Sequence, residues 1–91
     1  MPSKKKIENE AKLERAMTTL QSVADSNITP RNIRKTVKDS INMLQDSTVG
    51  MGVRAANAIS MLDEVSQDPN IPSFSRVTIW SAVSTLESIR E

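Results

Sequence analysis

Apolar residues recur at intervals of three and four positions through most of the chain, which is the pattern of amphipathic helices. The alternating pattern of strands is nearly absent. We therefore predict four helices, over about residues 4–24, 30–46, 50–66 and 72–90. The side chains expected to face inward are, helix by helix, Leu13, Ala16, Met17, Leu20, Val23 and Ala24; Ile33, Val37, Ile41 and Leu44; Ala55, Ala56, Ala58, Ile59, Leu62 and Val65; and Ile79, Val83, Leu86 and Ile89.

Polar residues, Pro and Gly mark the boundaries between these stretches. Thr29 is predicted to cap the second helix with its hydroxyl, and Pro30 suits its first position. Ser47 or Thr48 could cap the third helix, whose start stays open, and Pro69 ends it. Connections of three to six residues favour antiparallel neighbours. We therefore predict an all-α fold, a single four-helix up-and-down bundle over residues 1–91.

The second and fourth helices resemble each other beyond the matching of apolar positions. With the two prolines aligned, six pairs match: Pro30 and Pro72, Arg34 and Arg76, Thr36 and Thr78, Val37 and Ile79, Ile41 and Val83, and Leu44 and Leu86. One interpretation is an internal repeat, two similar helical hairpins packed about a pseudo-twofold axis, neither of which buries its apolar face alone. The alternative is chance resemblance between two amphipathic helices.

Charge is divided unevenly along the chain, although the net charge is only +1. Residues 1–45 carry a formal charge of +4 and residues 46–91 a formal charge of −3. Such a molecule can attract copies of itself as readily as it attracts a polyanion. The basic start of the chain lacks the apolar run of a signal peptide, and no stretch is apolar enough to span a membrane. Together with the lack of cysteine, this predicts a cytoplasmic protein with no membrane contact.

Two stretches, "TPRNIRK" at 29–35 and "VRAANAISMLDEVSQDPNIPSFSRVTIW" at 53–80, resemble the archaeal uncharacterised protein family 0147. The resemblance implies a small, cytoplasmic, all-helical four-helix bundle from archaea. It brings no established activity, so it implies no catalytic residues. The chain departs from the family pattern at "VGMGV", residues 49–53, where a clearer helix cap is expected.

The residue types argue against an enzyme. The chain has no His, Cys or Tyr, which removes the commonest general base, the thiolate nucleophile and the phenolic acid. We find no nucleophile elbow and no phosphate-binding loop, so no catalytic residue, cofactor or small-molecule substrate is predicted. Asp63, Glu64 and Asp68 could offer oxygen ligands to a cation. Asp63 and Glu64 point about 100° apart on a helix, however, and Asp68 more simply orders the turn before Asn70, so no metal site is predicted.

The hairpin comparison suggests a protein interface instead. Lys35 corresponds to Val77 and Lys38 to Trp80, so charged positions in one hairpin are apolar in the other. We predict that Phe74, Val77 and Trp80 form an apolar patch for a protein partner or for self-association. The alternative, which the sequence leaves open, is that the longer first helix covers Trp80, with Ile7 providing the contact. A head-to-tail assembly would have to close to avoid filaments.

Nucleic-acid binding is the second functional hypothesis. Basic side chains recur on one face of the second helix, and the first helix starts with three lysines at 4–6. Such a row could contact successive phosphates. No recognition motif is present, however, and aromatic residues for base stacking are nearly missing. The residues of this row are Arg31, Arg34, Lys35 and Lys38.

Overall fold

The computed structural model describes residues 4–90 and consists of four helices in that range: α1 (Lys4–Ala24), α2 (Arg31–Leu44), α3 (Met51–Ser66) and α4 (Ser73–Glu87). Both α1 and α3 pack against α2 and α4, so the helices form a ring in chain order. The molecule measures 45 × 21 × 19 Å, about two helix diameters across its short directions. This confirms the predicted all-α up-and-down bundle. Among the described helices, none is both long and apolar enough to cross a membrane.

The core lies along the bundle axis and is filled by the inward stripes of all four helices. The side chains predicted to face inward are buried with three exceptions: Met17 and Ile59 are partly buried, and Ala56 is exposed. Each helix contributes at least one large apolar side chain with almost no exposed surface, and these side chains are Leu20, Val23, Ile33, Val37, Leu44, Leu62, Ile79 and Leu86. Burial of such side chains stabilises the fold by about 1.5–3 kcal/mol each, before the entropic cost of ordering the chain.

Side-chain burial repeats along the chain with an offset of 42 positions, the separation of Pro30 and Pro72. Residue 11 corresponds to residue 53, and residue 46 to residue 88. Across these two ranges, every residue has the same degree of burial as its counterpart. Leu20 and Leu62, for example, are both completely buried. The hairpin α1–α2 and the hairpin α3–α4 are therefore built alike, with α1 corresponding to α3 and α2 to α4.

The three connections, residues 25–30, 45–50 and 67–72, share one backbone geometry. In each, the residue before the N-cap donates its backbone N–H to the carbonyl three positions earlier, over 3.1 to 3.3 Å. The N-cap residues Pro30, Gly50 and Pro72 are all extended, with ψ of 149°, 146° and 147°. The third helix, whose start the sequence left open, therefore begins at Met51.

The predicted side-chain caps are wrong. None of the three helices that follow a connection has a side-chain cap hydrogen bond at its N-terminus. The buried hydroxyl of Thr29 instead pairs with the buried hydroxyl of Ser75 at 3.0 Å. Thr48 donates its hydroxyl to Asp46 within the connection. Both hydroxyls that the sequence predicts as helix caps therefore hydrogen-bond elsewhere. Thr29 pairs with a residue distant in sequence, and Thr48 with a neighbouring carboxylate.

Two helices end before their predicted bounds, α2 at Leu44 rather than about residue 46 and α4 at Glu87 rather than about residue 90. After α4 the chain tightens, because the N–H groups of Ser88 and Ile89 bond to carbonyls three positions earlier. Ile89 remains buried in the core. The carbonyl of Arg90 then accepts a hydrogen bond from the side chain of Asn9 at 2.7 Å, which fastens this segment to α1.

Candidate functional site

Three large apolar side chains lie exposed on α4: Phe74, Val77 and Trp80, called the α4 patch below. Their side chains are 52%, 64% and 55% exposed. They are spaced three positions apart, so neighbours in the row stand about 60° apart around the helix. Val77 points directly away from the core, and Phe74 and Trp80 flank it on opposite sides.

Helical periodicity explains why α4 exposes these residues. The buried positions of α4 are Ser75, Ile79, Ala82, Val83 and Leu86, which share one face. The opposite face carries the α4 patch together with Ser73, Ser81 and Ser84. Only two residues of α4 are charged, Arg76 and Glu87, and Arg76 is partly buried. The outer face of α4 is therefore apolar or neutral over most of its length, and removing it from water costs little.

The structure does not place Trp80 under the first helix. Trp80 is 55% exposed and Ile7, the residue proposed to cover it, is itself 54% exposed. Glu87 lines a shallow groove between α3 and α4. Trp80 precedes Glu87 by seven positions, about two helical turns, so it lies on the α3 side of α4. Of the two explanations for the indole, coverage by α1 is therefore wrong.

The shallow groove between α3 and α4 has an α3 wall made mainly of small side chains. Gly52, Ala55, Ala56 and Ile59 line this wall. Ala56 is exposed and Ile59 is partly buried, so this wall offers apolar surface on the same side of the bundle as Trp80.

The basic residues predicted on α2 do come together. Arg31, Arg34, Lys35 and Lys38 line one open depression on the outer face of the helix. Lys35 forms an ion pair with Asp39 at 3.1 Å; its side chain is 77% exposed, so the pair contributes little to stability. Arg34 is partly buried, and its Nε has no hydrogen-bond partner within residues 4–90. Since α2 and α4 are not neighbours in the ring, this basic surface and the α4 patch lie on opposite sides of the bundle.

The three acids weighed as metal ligands do not converge. Glu64 and Asp68 line a groove beside α2 from which Asp63 is absent. Asp68 accepts the backbone N–H of Asn70 at 2.8 Å, as the turn hypothesis predicts, and also the side-chain amide of Asn32 at 3.2 Å. In the described range, no group of three or more His, Cys, Asp or Glu residues could hold a metal ion.

A cluster of cationic residues that sequence reasoning missed lies at the end of the bundle where α1 begins. Lys5, Lys6, Arg54 and Arg90 line one cavity there. Only Lys5 and Lys6 are close in sequence, so no local motif could have revealed the cluster. Of the three lysines at 4–6, the structure brings Lys5 and Lys6 to one cavity with the two arginines.

Asp46 lies in the connection that forms part of this end. The hydroxyl and the backbone N–H of Thr48 both donate to its carboxylate, and these hydrogen bonds hold the pKa of Asp46 below its usual value of 3.8. Desolvation opposes this lowering of the pKa, and the positive charge of Arg54 adds the least of the four effects, in the same direction as the hydrogen bonds. Asp46 therefore stays ionised at neutral pH, and its carboxylate accepts hydrogen bonds from the connection in which it lies.

Two solved structures resemble the chain over nearly its whole length. A protein of the uncharacterised family UPF0147 from Thermoplasma acidophilum superposes with a TM-score of 0.86 at 29% identity, covering 91% of this chain and 98% of that one. MMP1188, described as a protein of unknown function, gives a TM-score of 0.85 at 38% identity, covering 88% and 91%. Both support the fold.

Sequence relatives lead to the same family. A UPF0147 protein of Metallosphaera sedula is 51% identical over 84 residues, covering 92% of this chain and 94% of the relative. One of Sulfurisphaera tokodaii is 48% identical with the same coverage. The model of the uncharacterised protein family UPF0147 matches residues 1–89. The chain therefore belongs to this family, which includes archaeal members, as the resemblance at residues 29–35 and 53–80 indicated.

Proposed function

We propose that the protein is a non-catalytic assembly module that pairs with a second copy of itself through the α4 patch. The observation that carries the proposal is the row of Phe74, Val77 and Trp80, each more than half exposed on a nearly uncharged helix face. Single exposed apolar residues are ordinary on protein surfaces, but contiguous ones of this size mark contact sites. Trp is also among the residues that contribute most to interfaces.

The α4 patch is suited to self-pairing because it is symmetric about Val77. Phe74 lies three positions before Val77 and Trp80 three positions after it. In an antiparallel α4 pair related by a twofold axis at Val77, Phe74 of each copy would stand level with Trp80 of the other. Such a contact uses one surface twice and closes after two copies. Offset aromatic pairs of this kind add about 0.5–1.5 kcal/mol beyond area burial.

Charge also favours this orientation. Glu87 lies ten positions from Val77, which is about 15 Å along the helix. The antiparallel pair would therefore separate the two copies of Glu87 by about 30 Å, well beyond the Debye length of about 8 Å at physiological salt. A head-to-tail contact between the α2 basic surface and the α4 patch would instead join opposite sides of the bundle. It could not be twofold and would lead to rings or filaments.

The size of the surface sets the expected affinity. A stable interface buries about 800 Å² on each partner. The fifteen residues of α4 give a face about 22 Å long and about 10 Å wide, so the adjoining α3 wall of the groove has to contribute. We expect a reversible dimer in the micromolar range rather than a permanent one.

Sedimentation velocity over a concentration series tests the proposal. The wild-type chain should pass from monomer to dimer at about 10–100 μM, in line with the interface size. Val77→Glu should remain monomeric because it places a charge at the proposed axis. The matched control is Ile7→Glu, since Ile7 is also an exposed aliphatic residue in a helix but lies on α1. A wild-type chain that stays monomeric at the highest concentration, or a control that dissociates as Val77→Glu does, would contradict the proposal.

Nucleic-acid contact through α2 is the second candidate function. It is supported by the convergence of Arg31, Arg34, Lys35 and Lys38 on one open surface. Titration with mixed-sequence RNA at two salt concentrations tests it, because phosphate contacts weaken steeply as salt rises. Lys35→Glu combined with Lys38→Glu should abolish binding. If the wild-type chain does not bind at low salt, or if the double variant binds equally well, this candidate fails.

A further inference from the structure

The connection between α1 and α2 exposes a large apolar side chain near the start of α4. Ile28, in this connection, is 64% exposed. The buried hydroxyls of Thr29 and Ser75 lie 3.0 Å apart, so the residues that precede them, Ile28 and Phe74, lie close together at this end of the bundle. Phe74 lies on the α1 side of α4, since it flanks the helix opposite to Trp80. The α4 patch therefore has an apolar neighbour on its α1 side.

The fold does not require an apolar residue at this position. Asn70 occupies the equivalent place, 42 residues further along the chain, and it is also exposed. Turns favour Asn, Asp, Ser, Gly and Pro, and the three residues before Ile28 are Asp25, Ser26 and Asn27, as this preference predicts. Ile28 is the exception. Because a polar residue fits the same turn, an isoleucine beside the α4 patch points to burial against a partner.

The proposed α4 pair determines which surface of a second copy faces Ile28. Its twofold axis lies between the copies at Val77 and perpendicular to the helix, so the α1 side of one copy lies next to the α1 side of the other. Ser75, which marks the level of the α1–α2 connection, precedes Val77 by two residues. Ile28 is therefore level with residues of the second copy that lie a few Å beyond Val77. Ser81 is exposed at that level, and it shares the α1 side with Phe74 because seven residues make about two turns.

The surface around Ser81 is suited to receive an aliphatic side chain. The ammonium group of Lys12 donates to the carbonyl of Ser88 at 3.0 Å, so Lys12 faces α4. Thr19 follows Lys12 by seven residues and Ser81 precedes Ser88 by seven, which places Thr19 and Ser81 side by side on the two antiparallel helices. The hydroxyl of Thr19 already donates to the carbonyl of Arg15 at 3.0 Å. Covering these two short side chains therefore sacrifices little hydrogen bonding to water.

From this juxtaposition we infer that Ile28 belongs to the interface between two copies of the chain and docks on Thr19 and Ser81 of the second copy. The inference rests on the proposed pairing through the α4 patch and extends that interface onto the α1 side of the bundle. Area favours a second copy as the occupant, because the α4 face alone falls well short of the roughly 800 Å² per partner that a stable interface needs. The twofold axis also makes every contact occur twice, so one isoleucine adds two contacts to the dimer.

Sedimentation velocity of Ile28→Asn tests the inference. The variant should keep its fold, because Asn is the residue at the equivalent position 70. Its dimer dissociation constant should be raised about tenfold or more, since two buried isoleucine contacts are lost from each dimer. The matched control is Ile7→Asn, which should dimerise as the wild type does. Ile7 is 54% exposed on α1 and lies about 24 Å along the bundle from the level of Val77.

The outcomes separate this inference from the proposed function. If Ile28→Asn dimerises as the wild type does while Val77→Glu is monomeric, the pairing through α4 stands and the inference about Ile28 is overturned. Equal weakening by Ile28→Asn and Ile7→Asn would also overturn it. A wild-type chain that stays monomeric would overturn the pairing and the inference together, and would point to a partner other than a second copy.

Disulfide formation between two copies gives a second measurement. The chain has no cysteine, so an introduced pair reports on one contact. An isotope-labelled chain with Ile28→Cys, mixed with an unlabelled chain with Ser81→Cys, should form a mixed disulfide on mild oxidation, because a disulfide requires Cα atoms within about 7 Å. Ile28→Cys mixed with Ile7→Cys is the control and should form far less. Equal yields from the two mixtures would overturn the inference.

Discussion

The hairpins α1–α2 and α3–α4 share their buried side and differ on their outer side. Positions 11–46 and 53–88 are buried to the same degree throughout. At exposed positions, however, Glu14 corresponds to Ala56, Lys35 to Val77 and Lys38 to Trp80, the first of each pair being charged and the second apolar. The first hairpin thus presents charge to water where the second presents apolar surface.

The buried positions determine the fold that both hairpins share, and the exposed positions distinguish one hairpin from the other. A core position accepts a change of volume or polarity only where its neighbours compensate, because lost packing is not replaced by solvent. Exposed helical positions away from contacts change stability by only about 0.5 kcal/mol. The two hairpins therefore present different outer surfaces on one pattern of burial, and the candidate interfaces lie on those surfaces.

The largest expected change in stability tests whether the two hairpins pack alike in the core. Leu20→Ala and Leu62→Ala remove side chains that are completely buried at corresponding positions. Each should lower the free energy of unfolding by about 2–5 kcal/mol, measured by urea denaturation, because each leaves a cavity. If one substitution costs several kcal/mol and the other almost nothing, the two hairpins do not share one packing scheme.

The next effect concerns a polar pair that crosses between the hairpins. Ser75→Ala removes the partner of the buried Thr29 hydroxyl, which should cost about 1–3 kcal/mol of unfolding free energy. Adding Thr29→Val should recover part of the loss, since no hydroxyl is then left without a partner. Ser84→Ala, at an exposed serine of the same helix, is the control and should change little. An equal loss in the double variant would show that the hydrogen bond is not the cause.

A smaller change in stability is expected when exposed apolar residues of the second hairpin are replaced by the charged residues found at the corresponding positions of the first. Val77→Lys combined with Trp80→Lys replaces two exposed apolar residues by the lysines of the corresponding α2 positions. The unfolding free energy of the monomer, measured in urea at low protein concentration, should change by less than about 1 kcal/mol. Dimer formation in sedimentation should disappear. A loss of several kcal/mol in the monomer would instead mean that Trp80 stabilises its own bundle.

The smallest expected effect is a pH dependence of stability that arises from Asp46, in the connection between α2 and α3. The folded pKa of Asp46 lies below its usual value of 3.8 because of the hydrogen bonds from Thr48. The corresponding stabilisation is complete above the unfolded pKa and is lost as the pH falls through the lower folded value. The melting temperature of Asp46→Asn should therefore be below that of the wild type near neutral pH and approach it below about pH 3.8. A difference that stays constant with pH would exclude this cause.

The sequence predicts the helices and their inward stripes well, because burial on a helix follows local periodicity. It fails for Thr29, whose hydroxyl partner is 46 positions away. The sequence also does not predict whether α1 covers Trp80, because the angular position of a residue on its own helix does not show which neighbouring helix lies beside it. Local reasoning also misses the cavity at the start of α1, because Lys5, Arg54 and Arg90 meet only in the folded chain.

The hydrogen bond between Thr29 and Ser75 also influences which hairpins can associate. The residues 42 positions from this pair, Ile71 and Ile33, are both buried and apolar. If two copies exchanged hairpins, so that like paired with like, each hydroxyl would occupy a site matched to an isoleucine. Two buried hydroxyls would lose their partners in every exchanged pair, at about 1–3 kcal/mol each. One polar contact in an apolar core therefore favours the pairing of unlike hairpins over the pairing of like hairpins.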